Sequence, residues 1–599
     1  MSDQDARLQT TTITSPPEYY DQVLALSSKL LNESWEQLWR DNPKLEDIII
    51  DDGANGTLKG KLNPCQFFVT GNIENGVHAL YKVRFKSGIL TTSGKHGQAV
   101  DVTGWEIAIE VELDNQTDDD MTDDQMKSIT KYYNFPAKGD AGSAGDYSIT
   151  RVFVDLINAN MNMVNEKQST FRDPKTGQPC TWRELPNDIK RAVKGFLDDW
   201  TLDQDAKGYN TLGVTLTSPT YEEENPLKPS YQPVSVFHQA AKYANPSASD
   251  ADKYNCLLLC ELLAGHDDLK WKYITQEKAS WCYPGIDATY AISAHVILER
   301  FLGLHLQPLI RASEVVPTET DVWTWSYSHA ASAEPITGGE ARWTFSIGYN
   351  SAHTEAADDY FKLNPVPNTP NYTWSKTNKG ETGVHWHEKA PHNQGPGYAS
   401  LIQTGTTDIN VNPAVGSHTV SVSASITYGY EYRYSYDTSD LASMDVIASA
   451  SYSGKWMLSL SLSTDQSGQL CFSLVGSPSD VDPHVKLDRQ VGYLWNDASW
   501  DTDIKTLLKT QLHDSLTTAE QNLANVFQTT GKFVYPCNGE LSFKNPMFNN
   551  YGDLLAEVAY KAAPKVNVLS PQDGPKLKPY AASVDKSLGS DQGKKAPKT

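Results

Sequence analysis

From Val420 to Tyr436 every second side chain is apolar or aromatic: Val420, Val422, Ala424, Ile426, Tyr428, Tyr430, Tyr432, Tyr434 and Tyr436. Ser, Thr, Gly429, Glu431 and Arg433 fill the positions between. Successive side chains of a strand point to opposite faces, so a period of two predicts one long, half-buried strand. At ~3.3 Å per residue it reaches ~55 Å, against a usual strand of about 5–6 residues. A dry face of that length needs a long cover. Ile504, Leu508, Leu512, Leu516, Leu523 and Val526 recur at helical spacing and predict an amphipathic helix over 501–528 lying along that sheet.

The rest of the chain reads in the same terms. Tyr20, Val23, Leu24, Ser27, Leu30, Leu31, Trp35 and Leu38 form one stripe and predict a helix over 18–39, with Pro16 and Pro17 ahead and Asn42-Pro43 behind. Val77 to Phe85 and Trp105 to Leu113 alternate as antiparallel strands with one wet face. Residues 114–146 break the pattern with an acidic, then Gly/Ala-rich run. Ile189, Val193, Phe196, Leu197 and Trp200 predict a helix over 182–200, and a short strand follows at 209–216. Cys256 and Cys260 lie in an apolar segment read as helical, with buried thiols. From Val322 onward Trp323, Trp325 and Tyr327, then Trp343, Phe345 and Ile347, alternate with Ser, Thr and Gly. The predicted class is α+β, with long amphipathic helices wrapped by highly curved antiparallel sheets in two or more modules. The expected divisions are a disordered N-terminus 1–17, a helix-in-sheet module 18–216 and a connector with helical segments 217–321. A β-rich module 322–563 and a disordered basic tail 564–599 complete the chain.

Composition narrows the function. A chain of 599 residues with 21% charged and 10% aromatic side chains can bury a large core. The net charge of −23 is uneven: 561–599 holds eight Lys and three Asp, a net +5, which leaves −28 on the rest. Such a body repels phosphate backbones, so nucleic acid is not an expected partner. The N-terminal residues lack the apolar core of a secretory signal, and no run approaches the ~18 apolar residues of a membrane-crossing helix. Seven cysteines, an odd number, point to reduced thiols. The expected location is therefore cytoplasmic, and Asn32, Asn55, Asn115 and Asn371 are read as chance glycosylation motifs.

Motifs of catalysis are absent: there is no GxSxG, GxxxxGK[ST], strand-linked GxGxxG or HExxH. The acidic run from Asp114 lacks the spacing and closing Glu of a calcium loop and reads as solvated. His385, His387 and His392 in VHWHEKAPH are the one metal candidate, since two of them share a strand face. They sit in a Gly/Pro-rich run without a placed carboxylate, so no metal, cofactor or catalytic residue is assigned.

Several stretches resemble one family: YSITRVFVDLINA, GFLDDW followed by YNTLGVTL, WCYPGIDATYAISAHVILERFLGLHLQPLI and FVYPCNGELSFKNPMFNNYGDLLAEVAY. Together they resemble the OrfX-type accessory proteins encoded beside clostridial neurotoxins, members of the tubular lipid-binding (TULIP) superfamily. That resemblance implies a helix held in a curved sheet with an apolar groove between them, lipid binding, and no catalysis. The acidic insert, the Trp-rich middle and the basic tail have no counterpart in it, so toxin association is not carried over. The expected function is non-enzymatic binding of a lipid, another amphipathic ligand or a protein partner in that groove. Val23, Leu30 and Trp35 on the first helix, and Leu508, Leu512 and Leu516 on the late one, are its candidate walls. The alternatives are an aromatic-rich β protein that binds glycans, or a metal-dependent enzyme built on the three histidines.

Overall fold

A computed structural model describes residues 2–560, apart from isolated positions and the stretches 71–78, 94–96, 128–147, 156–163, 218–232, 264–271, 329–334, 349–359, 387–396, 439–441, 465–469, 476–483, 492–497 and 534–540. The expected tail 564–599 and the histidines His387 and His392 lie outside the described residues.

Three large sheets, with smaller two-stranded ones, carry the described residues. The first is built from β2 (Asp47–Asp52), β3 (Gly56–Val69), β4 (Ala79–Thr92), β5 (Glu106–Thr117), β6 (Ser148–Asp155) and β7 (Thr211–Thr217). Their spatial order is β7–β6–β5–β4–β3–β2, and Ala99–Asp101 adds to β4. The central sheet gathers distant segments: β1 (Gln22–Ser27), β8 (Pro233–Ala241), β9 (Cys256–Leu263), β10 (Ala288–Ile292), β19 (Leu541–Phe548) and β20 (Leu554–Tyr560), in the order β8–β9–β1–β10–β20–β19. The third runs through β13 (Tyr372–Trp386), β14 (Gly397–Pro413), β15 (Thr419–Thr438), β16 (Ala442–Thr464) and β17 (Leu470–Val475), with β18 (His484–Val491) also paired to β16. A separate hairpin, β11 (Val315–Ser328) with β12 (Pro335–Ile347), packs on it.

This corrects the expected class of long helices wrapped by curved sheets: the chain is mostly strand, in half-barrel sheets. Helices α1 (Asp3–Leu8), α2 (Ser28–Asp41), α3 (Asn187–Ala206) and α4 (Leu304–Ser313) have 20 residues or fewer. The one longer helix among the described residues, α5 (Ala498–Thr529), buries Ile504, Leu508, Leu512, Leu516 and Leu523 but leaves Lys505, Lys509, His513 and Asp514 in solvent. It lies on its sheet and is not enclosed by it.

Local chemistry explains the differences. The expected helix over 18–39 is instead β1 followed by α2. All six residues of QVLALS are buried between β9 and β10, so no polar alternation marks the strand. Ser27 then accepts the Leu30 backbone N–H at 3.1 Å, an N-cap that starts the helix one residue after the strand ends. The segment holding Cys256 and Cys260 is the fully buried strand β9, where burial pushes both thiols well up. Residues 2–15, expected without order, are held by contacts that sequence spacing does not show. Asp3 accepts from the Tyr243 hydroxyl at 2.8 Å, and buried Asp553 accepts from the Thr12 N–H at 3.0 Å.

On the third sheet, β15 alternates as its sequence does, with Val420, Val422, Ala424, Ile426, Tyr428, Tyr430 and Tyr432 buried. Two elements share its dry face. Leu512 of α5 approaches Gly454 on β16, beside Ile426. The hairpin covers Tyr428, whose ring stacks on Phe345 at 4.2 Å and whose hydroxyl donates to Gln403 at 2.6 Å.

Candidate functional site

The expected wall residues do not meet in one groove. Val23 is on β1, fully buried in a small cluster with Cys260 and Trp281. Trp35 packs edge-on against Tyr81 at 5.3 Å and Phe67 at 6.0 Å, and Leu30 is partly buried on the same core. Leu508, Leu512 and Leu516 are core residues under α5. His385 is exposed on β13, its ring 5.6 Å from Tyr398. Among the described residues no three His, Cys, Asp or Glu side chains are grouped to hold a metal ion.

A groove of about 1010 Å³ does lie between a helix and a sheet, at a place sequence periodicity did not mark. One wall is β2 with the 3₁₀ turn Pro43–Glu46 before it; the other is the C-terminal half of α3 and Tyr209 beyond. Helix α3 begins at Asn187 just after Pro186, where a proline is tolerated, and buries Ile189, Val193, Phe196, Leu197 and Trp200. Trp200 meets Tyr81 at 6.3 Å, which seats the helix on the sheet. Its far end is locked by buried Arg151 of β6. The guanidinium Nη1 donates to Gln116 at 2.8 Å and Nη2 to Asp205 at 3.4 Å and to Asn210.

β2 is the last strand of its sheet: it pairs with β3 on one side, and no described strand pairs with the other. Consecutive residues Asp47, Ile48, Ile49, Ile50 and Asp51 all line the groove, so it follows the strand's open edge. Leu45, Ile48 and Trp200 form a buried apolar floor, and Ile49 stands 71% exposed at the mouth.

The charges are lopsided. Asp47, Asp51, Asp199 and Asp203 line the groove against only Lys44 and Lys207. Lys207 is taken by Asp203 at 2.6 Å, and Asp47 pairs with Lys61 at 3.2 Å. Asp51 and Asp199 have no ion pair or side-chain hydrogen bond among the described residues. The carbonyl end of α3 adds the negative pole of the helix dipole, and the helix has no basic residue in its last turn. Burial, with the neighbouring Asp199 carboxylate, raises the Asp198 carboxyl. The arrangement suits an amphipathic ligand whose polar part is cationic. The runs IIIDD and LDDWTLDQDA carried the signal: an apolar triplet ended by acids, and acids crowding the end of a helix that favours bases.

Fold and groove together define a β-rich, multi-sheet protein with a helix-flanked open sheet edge. No protein-family model matches the chain, and no curated protein matches it. Among solved structures it is similar to P47 of Clostridium botulinum E1, at 10% identity and a TM-score of 0.40, over 90% of this chain and 99% of that one. It is also similar to a lipopolysaccharide-binding protein, at 10% identity and a TM-score of 0.25, again over 90% of this chain and 99% of that one. At those scores neither likeness defines a function. No described helix is long and apolar enough to cross a membrane.

Proposed function

We propose that the protein is a cytoplasmic, non-catalytic binding protein that holds an amphipathic ligand, such as a lipid with a cationic head, in the groove between β2 and α3. The observation that supports this reading is an apolar floor of Leu45, Ile48 and Trp200 beneath a rim with two carboxylates, Asp51 and Asp199, that have no partner among the described residues. Small-ligand sites combine apolar lining with a few placed polar groups in just this way. The sequence resemblance to the OrfX-type family is kept as part of the proposal, without its toxin association. Native mass spectrometry of full-length protein purified without detergent tests it. A co-purifying amphiphile should be retained by Met457→Lys, an exposed position on β16, and lost in Ile49→Lys. Equal retention in both variants would overturn the assignment to this groove.

A further inference from the structure

The groove holds only two cations, Lys44 and Lys207, the second already paired with Asp203, against four carboxylates, and the same chain carries a surplus of cations elsewhere. We propose that the lysine-rich segment 561–599 docks along the open edge of β2 and competes with ligand there. The inference rests on the reading of this groove as the binding site. Three observations carry it.

The first is charge. Residues 561–599 hold Lys561, Lys565, Lys576, Lys578, Lys586, Lys594, Lys595 and Lys598 against Asp573, Asp585 and Asp591. The groove presents Asp51 and Asp199, both without a partner among the described residues, along a wall that runs to the carbonyl end of α3. A low-dielectric wall such as the Leu45–Ile48–Trp200 floor strengthens attraction to a cation held against it.

The second is shape. β2 offers an edge that no described strand pairs, with one exposed isoleucine, and an exposed edge readily accepts another extended segment. The run Pro575–Tyr580, PKLKPY, sets Leu577 between Lys576 and Lys578 with Tyr580 beyond. An apolar side chain flanked by two cations matches Ile49 and Ile50 flanked by Asp47 and Asp51. Prolines such as those at 575 and 579 are accepted at a sheet edge.

The third is reach. The described chain ends at Tyr560 of β20, and the 39 residues beyond it span up to ~130 Å when extended. A compact chain of this length has a radius of gyration of only ~25 Å, so tether length does not restrict the contact.

Zero-length carbodiimide coupling of full-length protein tests the contact, because it joins only a lysine and a carboxylate that touch. Peptide mapping should find tail lysines joined to Asp51 or Asp199 within one molecule. Those products should fall severalfold at ~0.5 M salt, where screening shortens to a few ångströms, and vanish in Asp51→Asn/Asp199→Asn. Tail lysines coupled only to other carboxylates, or only between molecules, would overturn the proposal.

A second readout uses dodecyltrimethylammonium, titrated into wild type and into a variant with the six lysines from Lys576 to Lys598 changed to Gln. If the tail fills the groove nine-tenths of the time, removing its charge tightens amphiphile binding about tenfold. Unchanged affinity overturns the competition while leaving the ligand reading intact. No binding to either protein overturns the ligand reading, and the coupling pattern alone then decides the tail contact.

Discussion

Truncating Leu512 to alanine probes the packing of α5 on the third sheet. Leu512 is fully buried, and its Cδ2 lies 3.7 Å from where a β-carbon on Gly454 would sit. Removing three carbons from such a site costs about 2–5 kcal/mol, rising with the cavity that remains. Gly454 presents no side chain to fill that cavity, and Ile426 beside it is held in the β14–β15–β16 ladder. The expected loss therefore lies in the middle of that range, about 3–4 kcal/mol. Leu512→Asp adds the burial of an unpaired carboxylate and should exceed it. Urea unfolding followed by tryptophan fluorescence is the assay, since Trp456 donates to Ser313 at 3.0 Å where α4 meets this sheet. Lys505→Ala, on the exposed side of α5, is the control. A Leu512→Ala midpoint equal to that of the control would refute the docking of α5 described above.

Gly454→Ala should destabilise by about 1–3 kcal/mol through overpacking, because the new methyl would stand 2.9 Å from Ile426 Cγ1 and 3.0 Å from Cδ1. Adding Ile426→Val should recover part of the loss in the same urea assay, and no recovery would place the clash elsewhere. His238, whose ring donates to the Leu113 carbonyl at 3.1 Å, has its pKa lowered mainly by burial. The neutral ring is favoured in the fold, so its stabilisation is present above about pH 6.5 and is lost as pH falls below that value. His238→Gln should flatten the stability–pH curve in that window, and an unchanged slope would assign the acid sensitivity to another group such as His305.

What the sequence showed depended on how each element meets water. α5 buries one face and exposes the other, and β15 buries one face and leaves the other half-buried, so their periods of 3.6 and 2 were legible in Ile504 to Leu523 and in Val420 to Tyr436. β1 and β9 are buried on both faces, and QVLALS and CLLLCELL carry no alternation to separate strand from helix. The connector expected at 217–321 supplies β8, β9 and β10, and while β8 pairs with its neighbour β9, β9 and β10 pair with β1 and β20, hundreds of residues away. No local pattern encodes those pairings. The groove was hidden for a related reason. Its acids and its isoleucines come from β2 and α3, about 150 residues apart, and tertiary contacts such as Trp200 with Tyr81 of β4 and Arg151 with Asp205 bring them together.

The ligand proposed for the groove between β2 and α3 is an amphiphile with a cationic head. Two twelve-carbon amphiphiles of opposite charge, dodecyltrimethylammonium and dodecanoate, titrated calorimetrically below their micelle concentrations, test it most directly. One ammonium amphiphile should bind per chain, the carboxylate weakly or not at all, with at least a tenfold loss of affinity, about 1.4 kcal/mol, in Ile49→Lys but not in Met457→Lys. Equal binding of the two amphiphiles, unaffected by Ile49→Lys, would contradict it.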